Sequence, residues 1–164
     1  MIERRAVVVW EGDLQNGSGR LTTRNSEVLV SMPVAWDARV EESQGRTSPE
    51  ELLAAAHATC YAMSLSNVLA EAGTPPEQLE VEATCGLERT DAGLRIATMR
   101  LSVAARYEGA EQTALDKAAQ TAEEECPVSR ALRGNVDVSV EARVLDGTAT
   151  APADRATDPT RDVA

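Results

Sequence analysis

Aromatic side chains are scarce in this chain of 164 residues: Trp10, Trp36, Tyr61 and Tyr107, with no phenylalanine. Valine, leucine, alanine and methionine must fill the interior, and the many small side chains favour close helix contacts. Positive charge is also short. Sixteen Lys and Arg stand against 27 Asp and Glu, a net charge of −11. That argues against unaided nucleic-acid binding, which needs a basic footprint. There are only three cysteines, Cys60, Cys85 and Cys126. An odd, widely spaced set does not make a secreted disulfide framework. Without a close Cys-x-x-Cys pair, Cys60, Cys126 and the single histidine, His57, are also a poor zinc set. The apolar run after the N-terminus, Ala6 to Trp10, is too short for a signal-peptide core. One domain in a reducing, cytoplasmic compartment is the expectation.

What the chain does have is one long uncharged stretch. Ser48 suits a helix N-cap, Pro49 the first helical position, and Glu51 the carboxylate of a capping box. Gly73 suits a left-handed stop, with Pro75 and Pro76 beyond. No charged residue lies between Glu51 and Glu71 if His57 is neutral. A helix apolar on all sides is buried. The run is long enough to span a membrane. However, it is Ala-rich, carries His57, Thr59, Ser64, Ser66 and Asn67, has acidic flanks and has no second span beside it. A soluble core helix and no membrane partner are expected.

Before this helix, Arg5–Glu11, Arg20–Arg24 and Glu27–Ser31 read as a three-stranded meander. Met32 to Thr47 reads as a long connection carrying Arg39 and Arg46, and long loops often hold functional residues. After the helix, Thr74–Glu77 suggests a single helical turn. Leu79–Arg89 alternates as a half-buried strand, turning at Thr90–Gly93 into a partner strand from Leu94 to Tyr107. Ala110–Glu125 reads as a second helix with a stripe of Leu115, Ala118, Ala119 and Ala122. Pro127 opens a short third helix with Cys126 as its N-cap, and Asn135–Leu145 is a last strand. The fold class is α+β, with a domain over residues 1–146. Residues 147–164, poor in large apolar side chains, read as a disordered tail.

Cys60 shares a helix face with His57 and Ser64. It reads either as a small buried hydrophobe or as a functional thiol. Cys85 occupies an apolar strand slot and reads as structural. Cys126 is either a plain cap or a thiolate held by free backbone N–H groups. Glu123, Glu124 and Glu125 before it read as a solvated face. A Cys60–His57 hydrolytic dyad fits poorly, because mid-helix N–H groups are already bonded and supply no oxyanion donors. Three turns into its helix, Cys60 gains nothing from the dipole, so an acidic thiol there needs a cation from elsewhere. Arg39 and Arg46 are the candidates, and Glu50 could hold an arginine fork.

Trp10-Glu11-Gly12-Asp13, Arg39, Thr47-Ser48-Pro49-Glu50-Glu51-Leu52, Ala55-Ala56-His57-Ala58-Thr59-Cys60, Glu71-Ala72-Gly73, Asp91-Ala92-Gly93 and Cys126-Pro127-Val128-Ser129 follow one another in order. In this set the chain resembles the osmotically inducible protein C / organic hydroperoxide resistance (OsmC/Ohr) family, and its start and His57 resemble the OsmC branch more. The resemblance implies an intertwined homodimer with long central helices wrapped by antiparallel sheets. It implies a thiol-dependent peroxidase that reduces organic hydroperoxides, with hydrogen peroxide a further candidate substrate. By the same resemblance Cys60 is peroxidatic and Cys126 resolving, joined in a disulfide. Arg39 is the loop arginine, with Arg46 its local competitor, and Glu50 is its carboxylate partner. A small dithiol or dithiol-protein is the implied reductant, with no cofactor or metal. An apolar pocket around Cys60 is expected, and His57 is given packing or pocket lining. The alternative is a non-enzymatic small-ligand binder or redox sensor on the same scaffold.

Overall fold

The computed structural model describes residues 1–41 and 43–145, and the expected tail from Gly147 to Ala164 lies outside them. Three strands come first: β1 (Ala6–Glu11), β2 (Ser18–Thr23) and β3 (Met32–Val34). They form an antiparallel sheet in sequence order. The third strand falls later than the sequence suggests. Glu27 and Ser31 sit at φ 54° and 57°, left-handed positions that no strand tolerates, so the chain between them loops. The long connection then holds β3 and a short helix, α1 (Asp37–Val40).

The central helix is α2 (Pro49–Glu71). Ser48 Oγ accepts the Glu51 N–H at 3.2 Å, the expected cap. The capping box is incomplete, because the Glu51 carboxylate accepts from Thr47 Oγ1 at 2.6 Å. Gly73, at φ 80°, ends the helix. Thr74 N–H and Oγ1 both bond back to the Leu69 carbonyl, and the expected turn over Thr74–Glu77 does not form.

The expectation of burial on all sides is not met within one chain. The buried stripe is Glu50, His57, Tyr61, Leu65 and Leu69. Ala55, Ala56, Thr59, Met63 and Asn67 on other sides are exposed. By length and composition α2 could cross a membrane. Its inner stripe packs on a sheet and a helix of this chain.

That sheet contains β4 (Gln78–Thr90), β5 (Gly93–Arg106) and β6 (Asp137–Val144). β4 and β5 form the antiparallel hairpin that the alternation requires, with a bulge at Gly86/Leu87. β6 pairs parallel to β5, which needs a crossover. The crossover is α3 (Gln112–Glu125) followed by α4 (Pro127–Leu132). Leu115, Ala118, Ala119 and Ala122 are the buried residues of α3, and Leu115, Ala118 and Ala122 share one core with Tyr61, Leu65, Leu101 and Val103. The small α3 residues let it lie close to α2, and Tyr61 donates its hydroxyl to the Ala119 carbonyl at 2.8 Å.

Candidate active site

Two groups of residues stand at different levels of α2. The first lies near its N-terminal end. Arg39, on α1, sends Nε and Nη2 to the same oxygen of Glu50, Oε1, at 2.8 and 2.7 Å. Both donors converge on that one atom. The other oxygen, Oε2, is buried without a hydrogen-bond partner among the described residues. The guanidinium also lies over the Trp36 ring, 5.7 Å from its centre, a cation–π contact. An apolar cavity of about 370 Å³ opens here, lined by Val8, Trp10, Leu21, Trp36, Arg39 and Leu52 among others. Arg46 is held elsewhere: its Nη2 pairs with Asp37 Oδ2.

The second group lies midway along α2. Cys60 is half-buried, Cys126 is fully buried, and both are free thiols. The chain break between α3 and α4 brings them together, because Pro127 forces a new helix whose first N–H groups have no partner in the preceding turn. The two thiols lie close enough for each to act on the other's ionisation. The Val128 N–H favours the thiolate of both, and the Ser129 N–H and hydroxyl favour that of Cys126.

These contacts set the two acidities apart. Burial pushes the Cys60 thiol up; the Val128 N–H opposes this and the Cys126 thiol adds to it. Burial also acts to raise Cys126, but the Ser129 N–H, the Ser129 hydroxyl, the Cys60 thiol and the Val128 N–H outweigh it and leave it below its usual value. Unpaired N–H groups around a sulfur favour its thiolate. Neither Arg39 nor Arg46 is among the groups acting on Cys60.

The expected apolar pocket around Cys60 lies instead beside Arg39, ten residues up the helix. At a helical rise of ~1.5 Å per residue, ten residues are about 15 Å. Cys85, on β4, stands apart from the two thiols; burial and the Glu50 charge both raise it.

Ser129 closes the Cys126-Pro127-Val128-Ser129 motif but carries no role by sequence pattern alone. It is fully buried, and its hydroxyl lies 2.8 Å from His57 Nε2. His57 is fully buried too, packed in the core rather than lining a pocket. Glu123 is half-buried rather than solvated and pairs with Arg133 at 3.4 Å. The signal for Ser129 was its place three residues after a cysteine cap, where a hydroxyl on a helical turn returns to the cap.

An α+β fold with two neighbouring thiols and an arginine–carboxylate pair, each pair with one member on α2, defines a thiol-chemistry scaffold. The chain belongs to the OsmC-like protein family, whose model matches residues 42–141. It is 35% identical over 140 residues to Peroxiredoxin OsmC of Escherichia coli, spanning 85% of this chain and 96% of that one. Its fold is similar to the organic hydroperoxide resistance protein OhrB of Bacillus subtilis, with TM-score 0.67, 28% identity, and 85% and 98% of the two chains covered. An organic hydroperoxide resistance protein from Elizabethkingia anophelis shares the fold at TM-score 0.69 and 20% identity, over 88% and 98% of the chains.

Proposed function

We propose that this protein is a thiol-dependent peroxidase that reduces organic hydroperoxides to alcohols through Cys60 and Cys126. The observation that carries this reading is the closeness of the two free thiols, each acting on the other's ionisation, one half-buried and one buried. Cys60 is open enough for a peroxide, whereas Cys126 is fully buried. Access therefore assigns attack to Cys60, although Cys126 is the more acidic thiol within one chain. The Cys60 thiolate takes the outer peroxide oxygen, the O–O bond breaks, and the alkoxide leaves and is protonated. Cys60 is then a sulfenic acid, which condenses with Cys126 to a disulfide and water. A small dithiol or dithiol-protein restores both thiols by exchange.

A homodimer completes this site. Cys60 lacks a cation in its own chain, while Arg39, Glu50 and the apolar cavity lie about 15 Å up α2. Residues 50 and 60 are symmetric about Ala55, which is exposed with Ala56 on the uncovered side of the helix. Two α2 helices crossing antiparallel at Ala55 and Ala56 would set Arg39 and Glu50 of one copy against Cys60 of the other. An open groove lined by Val28, Leu29, Ala56, Thr59 and Met63 lies along that side. The guanidinium would favour the thiolate and the developing alkoxide, and the cavity would hold the carbon chain, at ~0.8 kcal/mol per buried CH₂. Hydrogen peroxide, with no chain to bury, is then a poorer substrate. Three free thiols suit a reducing, cytoplasmic setting.

Consumption of an organic hydroperoxide in the presence of a dithiol tests the reading. Wild type turns over and Cys60→Ser does not; equal consumption by both removes the enzyme and leaves a ligand-binding or sensing role. Peptide mapping after oxidation is expected to find Cys60 joined to Cys126 and Cys85 free, and a bridge through Cys85 would remove the resolving role of Cys126.

A further inference from the structure

The peroxide cycle gives His57 no task, yet the fold buries it completely and pairs it with one hydroxyl. His57 Nε2 lies 2.8 Å from Ser129 Oγ, and both side chains are fully buried. Ser129 stands one turn after Cys126, the cap of α4, and both are fully buried; the hydroxyl favours the Cys126 thiolate. Imidazole, hydroxyl and thiol thus follow one another through the core from α2 to the cap of α4. Nδ1 of His57 has no hydrogen-bond partner among the described residues. A purely structural histidine in a core is normally satisfied at both nitrogens. An imidazole left open at one nitrogen and bonded at the other toward a thiol is placed to exchange a proton with it.

Cys126 needs such a partner. Its sulfur is sealed from solvent, so bulk water cannot take its proton when it attacks. We propose that His57, acting through the Ser129 hydroxyl, is the proton acceptor and donor for Cys126 in closing and opening the Cys60–Cys126 disulfide. This rests on the peroxidase reading above. As the Cys126 sulfur forms its bond to the Cys60 sulfur, its proton passes to Ser129 Oγ and the Ser129 proton passes to His57 Nε2. The S–O bond of the sulfenic acid breaks, and the departing hydroxide and the proton stored on His57 recombine as water. The sum is one sulfenic acid plus one thiol giving one disulfide and one water, with no outside oxidant. In reduction the path runs backward: a proton released by the attacking thiol of the dithiol reductant is taken up by His57 and passes through Ser129 to Cys126 as it leaves.

The surroundings suit short storage. Burial keeps the imidazole neutral at rest, and the Glu123 carboxylate on α3 opposes this by favouring the imidazolium. Cys60 and Tyr61 lie one turn along α2, Cys126 stands at the start of α4, and Arg133 pairs with Glu123. His57 is here a positioning and proton-relay residue, not one that touches the peroxide.

Single-turnover reaction of the full chain with one equivalent of cumene hydroperoxide separates the steps. Sulfenic acid is trapped with dimedone and disulfide is counted by mass spectrometry, from about pH 5.5 to about pH 8, the window in which imidazoles titrate. In His57→Gln, sulfenic acid is expected to accumulate and closure to slow on the order of 10²-fold, the low end for general acid–base assistance. Closure should also gain a steep rise with pH that wild type lacks. Ser129→Ala should reproduce both effects and Ser129→Thr should restore closure; this pair decides the matter if His57→Gln does not fold. Closure within about two-fold of wild type, or slowing by one factor at every pH, overturns the relay and leaves the peroxidase intact. A wild-type chain that forms no sulfenic acid fails at the earlier step, and that failure belongs to the peroxidase reading on which the relay depends.

Discussion

The two sheets of this chain treat their apolar side chains differently. In the second sheet, Met99, Leu101, Val103 and Ala105 of β5 are 0 to 2% exposed, and the last three pack in one core with residues of α2 and α3. In the first, Val8, Val9 and Trp10 of β1 are 51, 59 and 39% exposed, and Val28, Val30 and Met32 beside them are also open. Val8 and Trp10 open toward the cavity beside Arg39 and Val9 toward the other face, so this sheet leaves apolar side chains open on both sides, more than scattered valines would. The second sheet is a finished core. The first carries Arg39, the apolar cavity and the uncovered side of α2 beside it, so its cover and its chemistry point to a second copy of the chain.

Truncation in the finished core has the largest expected effect. Leu101→Ala should lower the stability to urea by about 2–5 kcal/mol, since the side chain is fully buried and the cavity cannot collapse. The loss should be the same at every protein concentration. A change on the open side should behave in the opposite way. Met63→Glu, at a position 69% exposed in one chain, leaves the core untouched but places a charge in the proposed contact. Sedimentation should show wild type as a dimer and Met63→Glu as a single chain, with the concentration dependence of wild-type melting lost. A wild-type chain that sediments as a monomer breaks the comparison.

A smaller effect tests which arginine serves Cys60. Arg39→Ala should raise the pH at which the Cys60 thiol ionises by about one unit, equivalent to ~1.4 kcal/mol. Arg46→Ala should change it less, because Arg46 is tied to Asp37. The pH dependence of Cys60 alkylation reads this directly, and the reverse order would move the role to Arg46. The same measurement in Met63→Glu sharpens the comparison: if the cation comes from the second copy, loss of the dimer and loss of Arg39 raise the thiol alike.

Much of this was legible in the sequence because local rules and packing agreed. The α2 ends are written by Ser48, Pro49 and Gly73, and the Leu115, Ala118, Ala119, Ala122 stripe places α3. Cys126-Pro127 could be read as a helix break with a sulfur at the cap. The third strand was misplaced because Glu27 and Ser31 adopt a left-handed backbone that neither residue type advertises. The all-round burial of α2 was inferred from an absence of charge, which marks a surface that avoids water without saying whether the same chain covers it. The Ser129–His57 bond joins residues 72 apart in sequence. Neither residue signals the other, and only the close approach of α4 to α2 creates the pair.

The smallest effect concerns that pair within the finished core. Burial holds the His57 pKa below the ordinary value of 6.5. The unfolded chain therefore binds a proton near pH 6.5 that the folded chain refuses, so stability rises with pH in this region. The contribution is fully present above pH 6.5 and is lost as pH falls toward the lower folded value. A single proton limits the slope to ~1.4 kcal/mol per pH unit. His57 is the only histidine of the chain, so no other imidazole shares this interval. Urea midpoints measured at about pH 7.5 and about pH 5.5, either side of the imidazole range, should fall for wild type and fall less for His57→Gln. Equal losses in both would mean that the imidazole titrates as freely in the fold as in water, which its complete burial and its single hydrogen bond oppose.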